Sequence, residues 1–202
     1  MFDELLAHPG VVEICSLRST FGFMAFHGGS LEQRTDDIAR AAADRAGASV
    51  YAVVQPPGFR WHLPSTQIDP AHSPTLAAFL EHVDVAVAVH GFGRPDMFTT
   101  LLLGGRNREL GRHLGRHLQS ELPDYDIVDV LDRIPRELRG LHPENPVNRP
   151  RRGGVQLELP PRVRGLGPFW ADFRATHGED VHPPHTEALI AGLADAALTW
   201  SP

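Results

Sequence analysis

Two histidines in this chain stand where apolar runs end, and each is followed at once by glycine. Phe23-Met24-Ala25-Phe26 stops at His27-Gly28-Gly29-Ser30-Leu31-Glu32, and Asp84-Val85-Ala86-Val87-Ala88-Val89 stops at His90-Gly91-Phe92-Gly93. Two imidazoles at strand ends, with a carboxylate beside one of them, form a donor set suited to a metal ion. His27, Glu32 and His90 would leave a fourth position for water, as catalytic zinc sites do. A further run, Gly153-Gly154-Val155-Gln156-Leu157-Glu158, has Gln156 and Glu158 on one face of a strand. Zinc hydrolysis uses a carboxylate outside the ligand shell to take a proton from water and return it to the leaving amine, and Glu158 suits that role. Each residue also has a plainer role. A histidine ending a strand is commonly a polar residue at the core edge, Glu32 in a first helical turn would be favoured by the helix dipole, and Glu158 could face solvent. The repeated strand-to-His-Gly pattern brings the metal reading level with the plainer ones.

The elements that must position these residues are legible in outline. Val11 to Leu17, Gly22 to Phe26, Ser49 to Val54, Asp84 to Val89, Phe98 to Leu103, Ile127 to Leu131 and Val155 to Leu159 read as strands. Ser30 and Gln33 fit a capping box that opens a helix running through about Arg45, with a narrow alanine-rich face. Further helices are expected from about Pro74 to His82, Arg106 to Ser120 and Pro184 to Thr199. Residues 55–70 read as loop, and 135–153 as a long Pro-, Asn- and Arg-rich loop of functional interest. These elements imply a single α/β domain over residues 1–202: three layers, with a central mixed sheet covered by helices on both faces. In such sheets ligands bind beyond the carboxyl ends of the strands, where His27 and His90 would sit.

Composition narrows the function classes. The 202 residues are 42% hydrophobic and 22% charged with a net charge of −6, which is ordinary for a soluble protein and argues against a dedicated nucleic-acid binder. The chain has no lysine, so its cationic side chains are arginines. The lone Cys15 excludes a disulfide framework and reads as a buried strand thiol. No signal peptide or membrane-spanning stretch is evident, and a cytoplasmic location is expected.

The chain resembles the zinc-dependent poly-γ-glutamate hydrolase family, which is associated with bacteriophages. The matching residues are His27 to Glu32, Pro64-Ser65-Thr66, His90-Gly91, Gly104-Gly105, Asn145-Pro146-Val147-Asn148-Arg149 and Gly154 to Leu159, with Leu31 and Pro64 departing from the family pattern. This resemblance implies a phosphorylase/hydrolase-type, zinc carboxypeptidase-like fold. It implies one zinc ion on His27, Glu32 and His90, Glu158 as the catalytic carboxylate, and cleavage of γ-glutamyl amide bonds in an anionic peptide or polymer. A guanidinium should stabilise the oxyanion, with Arg106 and Arg149 the foremost candidates and Arg164 a weaker one. Asn148, Gln156 and His62 are expected to line the substrate cleft. Arg149, Arg151 and Arg152 together would suit a chain of free carboxylates. His113 with His117, and His182 with His185, are expected to be peripheral. Two rivals exist. A serine hydrolase lacks its Gly-x-Ser-x-Gly elbow here, and a phage-related accessory binding nucleic acid finds no DNA-binding motif.

Overall fold

The structure, a computed structural model, describes residues 1–178 and 181–201. Its strands are β1 (Val12–Ser16), β2 (Phe21–Gly29), β3 (Ser49–Gln55), β4 (Val85–Gly91), β5 (Thr100–Leu103), β6 (Asp126–Val128) and β7 (Gly154–Leu159). They form one mixed sheet in the order β1-β3-β2-β4-β7-β5-β6. The four central strands are mutually parallel, while β1 and β5 run antiparallel to β3 and β7.

The helices are α1 (Phe2–Leu6), α2 (Thr35–Ala46), α3 (Pro74–His82), α4 (Arg108–Glu121), α5 (Pro168–His177) and α6 (Pro184–Thr199). On one face of the sheet, Ile38, Leu110, Leu114, Leu189 and Leu193 of α2, α4 and α6 pack on Phe23, Ala25, Val87 and Val155. On the other, Phe2 of α1 and Leu76 and Phe79 of α3 pack on Met24, Phe26, Tyr51 and Ala88. This is the expected three-layer α/β arrangement. The alternation of strand side chains explains the division, since odd positions of β2 and β4 face one core and even positions the other.

From β2 the chain crosses to β3 on one side and returns as β4 on the other. The carboxyl ends of β2 and β4 therefore flank a point where the winding reverses, the usual place for a ligand crevice. A local irregularity aims His27 into it. Ala25 pairs with Ala52, but Gly28 pairs with Val54, so β2 carries one extra residue between them. Without that bulge, His27 would follow Phe23 and Ala25 toward α2. With it, the ring turns to the face that carries His90.

Glycine is required where β2 ends. Gly29 has φ +70°, and a Cβ there would lie 2.1 Å from the Gln55 carbonyl oxygen. Only a residue without a side chain lets β2 and β3 finish this close together.

The helix after β2 begins later than the sequence suggests. It starts at Thr35, with Arg34 at its N-cap in the left-handed region (φ 74°), and no capping box forms. The Ser30 hydroxyl instead donates across the loop to the carbonyls of Pro56 and Phe59. Asp36 and Asp37, rather than Glu32, occupy the first helical turn. Three further differences are local. The strand expected to reach Leu131 stops at Val128, α5 arises in a tail with no expected element, and Cys15 is only half-buried on edge strand β1. Among the described residues no helix is long and apolar enough to cross a membrane.

Candidate metal centre

Residues 30–34 fold back as a tight turn in which the Glu32 N–H donates to the His27 carbonyl (2.8 Å) and the Thr35 N–H and hydroxyl both bond the Glu32 carbonyl. The turn carries the Glu32 carboxylate over the ends of β2 and β4. There Oε1 lies 2.9 Å from His27 Nδ1, and Oε2 lies 3.3 Å from His90 Nδ1. The Gly91 N–H also donates to Oε2 (2.8 Å), so the backbone of β4 helps to orient the carboxylate. One donor atom from each of His27, Glu32 and His90 falls within 4.8 Å of the others.

The chemistry of these contacts fits a metal. The Leu63 carbonyl lies 2.8 Å from His27 Nε2 and can only accept, so Nε2 carries a hydrogen and Nδ1 is left to face Glu32. A lone pair and a carboxylate oxygen at 2.9 Å repel unless a proton or a cation lies with them. A carbonyl or carboxylate holding the far nitrogen of a ligand histidine is also the usual outer-shell arrangement at metal sites. His90 is buried, and its Nε2 has no hydrogen-bond partner.

Electrostatics reinforce the case. Burial alone would raise the Glu32 carboxyl, but the charge of His90 and hydrogen bonds from both imidazoles outweigh it and hold the carboxyl far below its usual range. Burial opposes the charge on His90, whereas Glu32 and then Glu158 push its imidazole up to about 9. In the metal-free protein the His90–Glu32 attraction is fully present below about pH 6.5, the ordinary imidazole value, and is lost as pH rises through about 9. A metal must displace that proton. Zinc binding at pH 7 should therefore release about one proton, falling toward none above pH 9, as titration calorimetry in buffers of different ionisation enthalpy would record. Proton release unchanged across that range would exclude His90 as the group displaced.

Glu158 stands opposite His90 in the β4–β7 register and is likewise buried. Burial raises its carboxyl above the ordinary value, although His90 pulls the other way. Both residues open on a cleft of about 790 Å³, whose floor is the His27, Glu32, His90 and Glu158 cluster. One wall is His62 with Pro64-Ser65-Thr66, and the other is the segment from Arg136 to His142. The His62 ring lies 4.9 Å from that of His27, and burial, then the neighbouring His27, pushes its imidazole down.

The arginines are placed differently from expectation. Neither Arg106 nor Arg149 lines the cleft. Arg106 is exposed, and Arg149 is paired with Glu144. Arg151 bonds Asp84 (2.6 Å) and the Arg152 N–H donates to the Asp84 carbonyl (3.0 Å), just before β4 and a full strand length from His90, so these two members of the expected basic cluster lie at the opposite end of the sheet. Asn148 is not a lining residue either. It donates to the carbonyls of Gly140 (2.7 Å) and His142 (2.9 Å) and accepts from the Arg106 N–H (3.0 Å), bracing the cleft wall from behind. Arg164 is buried beneath the site, where it donates to the Gln33 carbonyl (2.8 Å) and so holds the Glu32 turn. The arginines that do line the cleft are Arg136 and Arg139. The sequence marks them only by their place in the long loop.

The two histidine pairs expected to be peripheral make structural contacts. His113 and His117 both meet the Thr199 hydroxyl (3.2 and 3.1 Å) between α4 and α6. His182 meets the Arg34 guanidinium (2.8 Å), and His185 lies edge-on to Trp170.

Comparison with known proteins bears on the whole chain. The family described as poly-gamma-glutamate hydrolase matches residues 4–180. A solved bacteriophage poly-gamma-glutamate hydrolase superposes with TM-score 0.77 at 23% identity, covering 93% of this chain and 87% of that one. A second structure, the zinc-free form of YndL, superposes with TM-score 0.65 at 19% identity, covering 85% and 89% respectively. No curated protein sequence matches.

Proposed function

Because the chain belongs to the poly-gamma-glutamate hydrolase family, we propose that it is a zinc-dependent hydrolase of γ-glutamyl amide bonds, with one zinc ion on His27, Glu32 and His90. The observation that carries this is the buried meeting of two imidazole Nδ1 atoms with both oxygens of one carboxylate, beside a second carboxylate, at the floor of an open cleft. When bound, zinc supplies Lewis acidity toward the scissile carbonyl and lowers the pKa of water. The chain's own residues do the rest. Glu158 accepts a proton from the attacking water and delivers it to the leaving nitrogen. Its raised pKa keeps it closer to the working pH than an ordinary carboxylate, which suits a group that must both take and give a proton. Gly91 and Arg164 hold Glu32 and its turn in register.

A γ-linked glutamate chain carries one free α-carboxylate on every residue. Arg136 and Arg139 on one wall, with the His62 ring opposite, offer cationic and hydrogen-bonding groups to these carboxylates. Arg139 is pre-oriented by its Nε–H bond to the Ile134 carbonyl (2.9 Å). Arg139 lines the cleft, as Arg106 and Arg149 do not, which makes it the better candidate to steady the developing oxyanion, although its guanidinium also lies 3.8 Å from Asp132.

The test is direct. Zinc-loaded protein incubated with poly-γ-glutamate should shorten it, as size-exclusion chromatography and release of amino groups would show, and should leave poly-α-glutamate intact. A polymer unchanged by protein carrying stoichiometric zinc would overturn the assignment of substrate.

A further inference from the structure

Gln156 lines the cleft beside Glu158, yet most of its side chain is engaged within the protein. It is buried, with 6% of its surface accessible, and both ends of its amide are used. Its Nε2 donates to Glu158 Oε1 (2.8 Å), while its Oε1 accepts from Asn145 Nδ2 (2.7 Å). Asn145 is more buried still, at 2%, and its Oδ1 accepts from the Val147 N–H (3.3 Å) at the start of a 3-10 turn over Pro146–Asn148.

The direction of this chain is dictated by the backbone at both ends. The Val147 N–H can only donate, so Asn145 must present its oxygen there and its NH2 to Gln156. Gln156 must then present its own NH2 to Glu158, and the same nitrogen reaches the Leu138 carbonyl (3.4 Å), which can only accept. Neither amide can flip without leaving a buried donor facing a donor. The wall of the cleft closes tightly over this chain. Gly140 has φ +60°, and a Cβ there would lie 2.3 Å from Gln156 Oε1.

We infer that Asn145 and Gln156 are positioning residues for the catalytic carboxylate: a polarised relay from the Val147 N–H that pins Oε1 of Glu158 and presents Oε2 to the proton being moved. The inference rests on the assignment of Glu158 as the base. It gives Asn145, which lines the cleft with Gln156 and Glu158, a function, and it adds a positioning role to Gln156's expected place in the substrate cleft. Through Leu138 and Gly140 it also ties the setting of the base to the wall that receives substrate.

Asn145→Asp and Gln156→Glu test it, because each keeps the volume and the acceptor but deletes the donating NH2. Each should lower kcat on poly-γ-glutamate about 10- to 100-fold, the range typical when a partner orienting a reacting centre is removed. KM and zinc content should stay within about twofold of wild type, and the double variant should be no worse than the poorer single one. A measurement independent of catalysis accompanies these. The Gln156 side-chain NH2 resonances should be protected from exchange in the wild type and lose that protection in Asn145→Asp. Wild-type kcat in both single variants, or a Gln156 NH2 that exchanges freely in the wild type, would overturn the relay. So would a loss of kcat matched by loss of zinc. Full activity in Glu158→Gln would instead overturn the base assignment, leaving the NH2 protection to decide whether the relay exists.

Discussion

Glu158→Gln should cut hydrolysis of a γ-linked glutamate polymer by about 10²- to 10⁴-fold while the protein keeps its metal, the range that a positioned general acid–base group contributes. The substitution is nearly isosteric, and the new amide carbonyl can still accept from Gln156 Nε2, so the buried chain behind it survives. What disappears is the oxygen that can take a proton. The change also removes a charge that helps to raise His90, so metal should bind no less readily once that imidazole is easier to deprotonate. Burial raises the Glu158 carboxyl, and it works as a base only when ionised, so the rate should climb with pH along an acidic limb lying above the ordinary glutamate value near pH 4.3. Amino-group release and metal analysis of the same samples provide the check. A Glu158→Gln protein with wild-type turnover would show that the proton goes elsewhere.

The parts of this site that were legible in the sequence are those written in local pattern. Apolar runs ending in His-Gly mark β2 and β4, and the alternation Val155-Gln156-Leu157-Glu158-Leu159 marks β7 and the face on which Glu158 lies. What the pattern does not carry is set by contacts distant in sequence. Period-two alternation assigns His27 to the wrong face, and only the register against β3 reveals the added residue that corrects it. Ser30 has the right type and spacing to cap a helix, but the 55–60 loop engages its hydroxyl, and the Glu32 turn forms in place of a first helical turn. The arginines follow the same logic. Arg149 and Arg151 lie within three residues of one another in sequence, yet their nearest carboxylates, Glu144 and Asp84, draw them away from the cleft. Arg136 and Arg139 reach it because the Gly105 N–H bonds the Arg139 carbonyl (2.7 Å) and fixes that segment against the end of β5. Segment 168–177 gives a weaker helical signal, since its aromatic residues pack largely on one another, as in the stacked Phe173 and His177 rings.

His90→Ala should abolish stable zinc binding, and the reason separates it from substitutions outside the three ligands. Outer-shell partners of a metal ligand are worth about 10- to 100-fold in affinity; removing one of three protein ligands should cost more than that. In the wild type, zinc at a hundred times its dissociation constant stabilises the fold by about 2.7 kcal/mol, a rise of roughly 5–11 °C for a chain of this size. That rise should vanish in His90→Ala. The metal-free variant should also melt below metal-free wild type, because Glu32 loses the strongest of the charges that hold it ionised while staying enclosed. Breaking a buried pair from one side costs on the order of 3 kcal/mol, with His27 and the Gly91 N–H limiting the damage here. Raising the pH above 9 removes the same attraction from the wild type by discharging His90, so the stability gap between the two metal-free proteins should narrow as pH passes through that value. Thermal melts with and without zinc at pH 7 and pH 10 make the comparison. A His90→Ala protein that still gains several degrees from zinc would place the ion elsewhere, and a gap constant across that range would mean that His90 is not the charge holding Glu32.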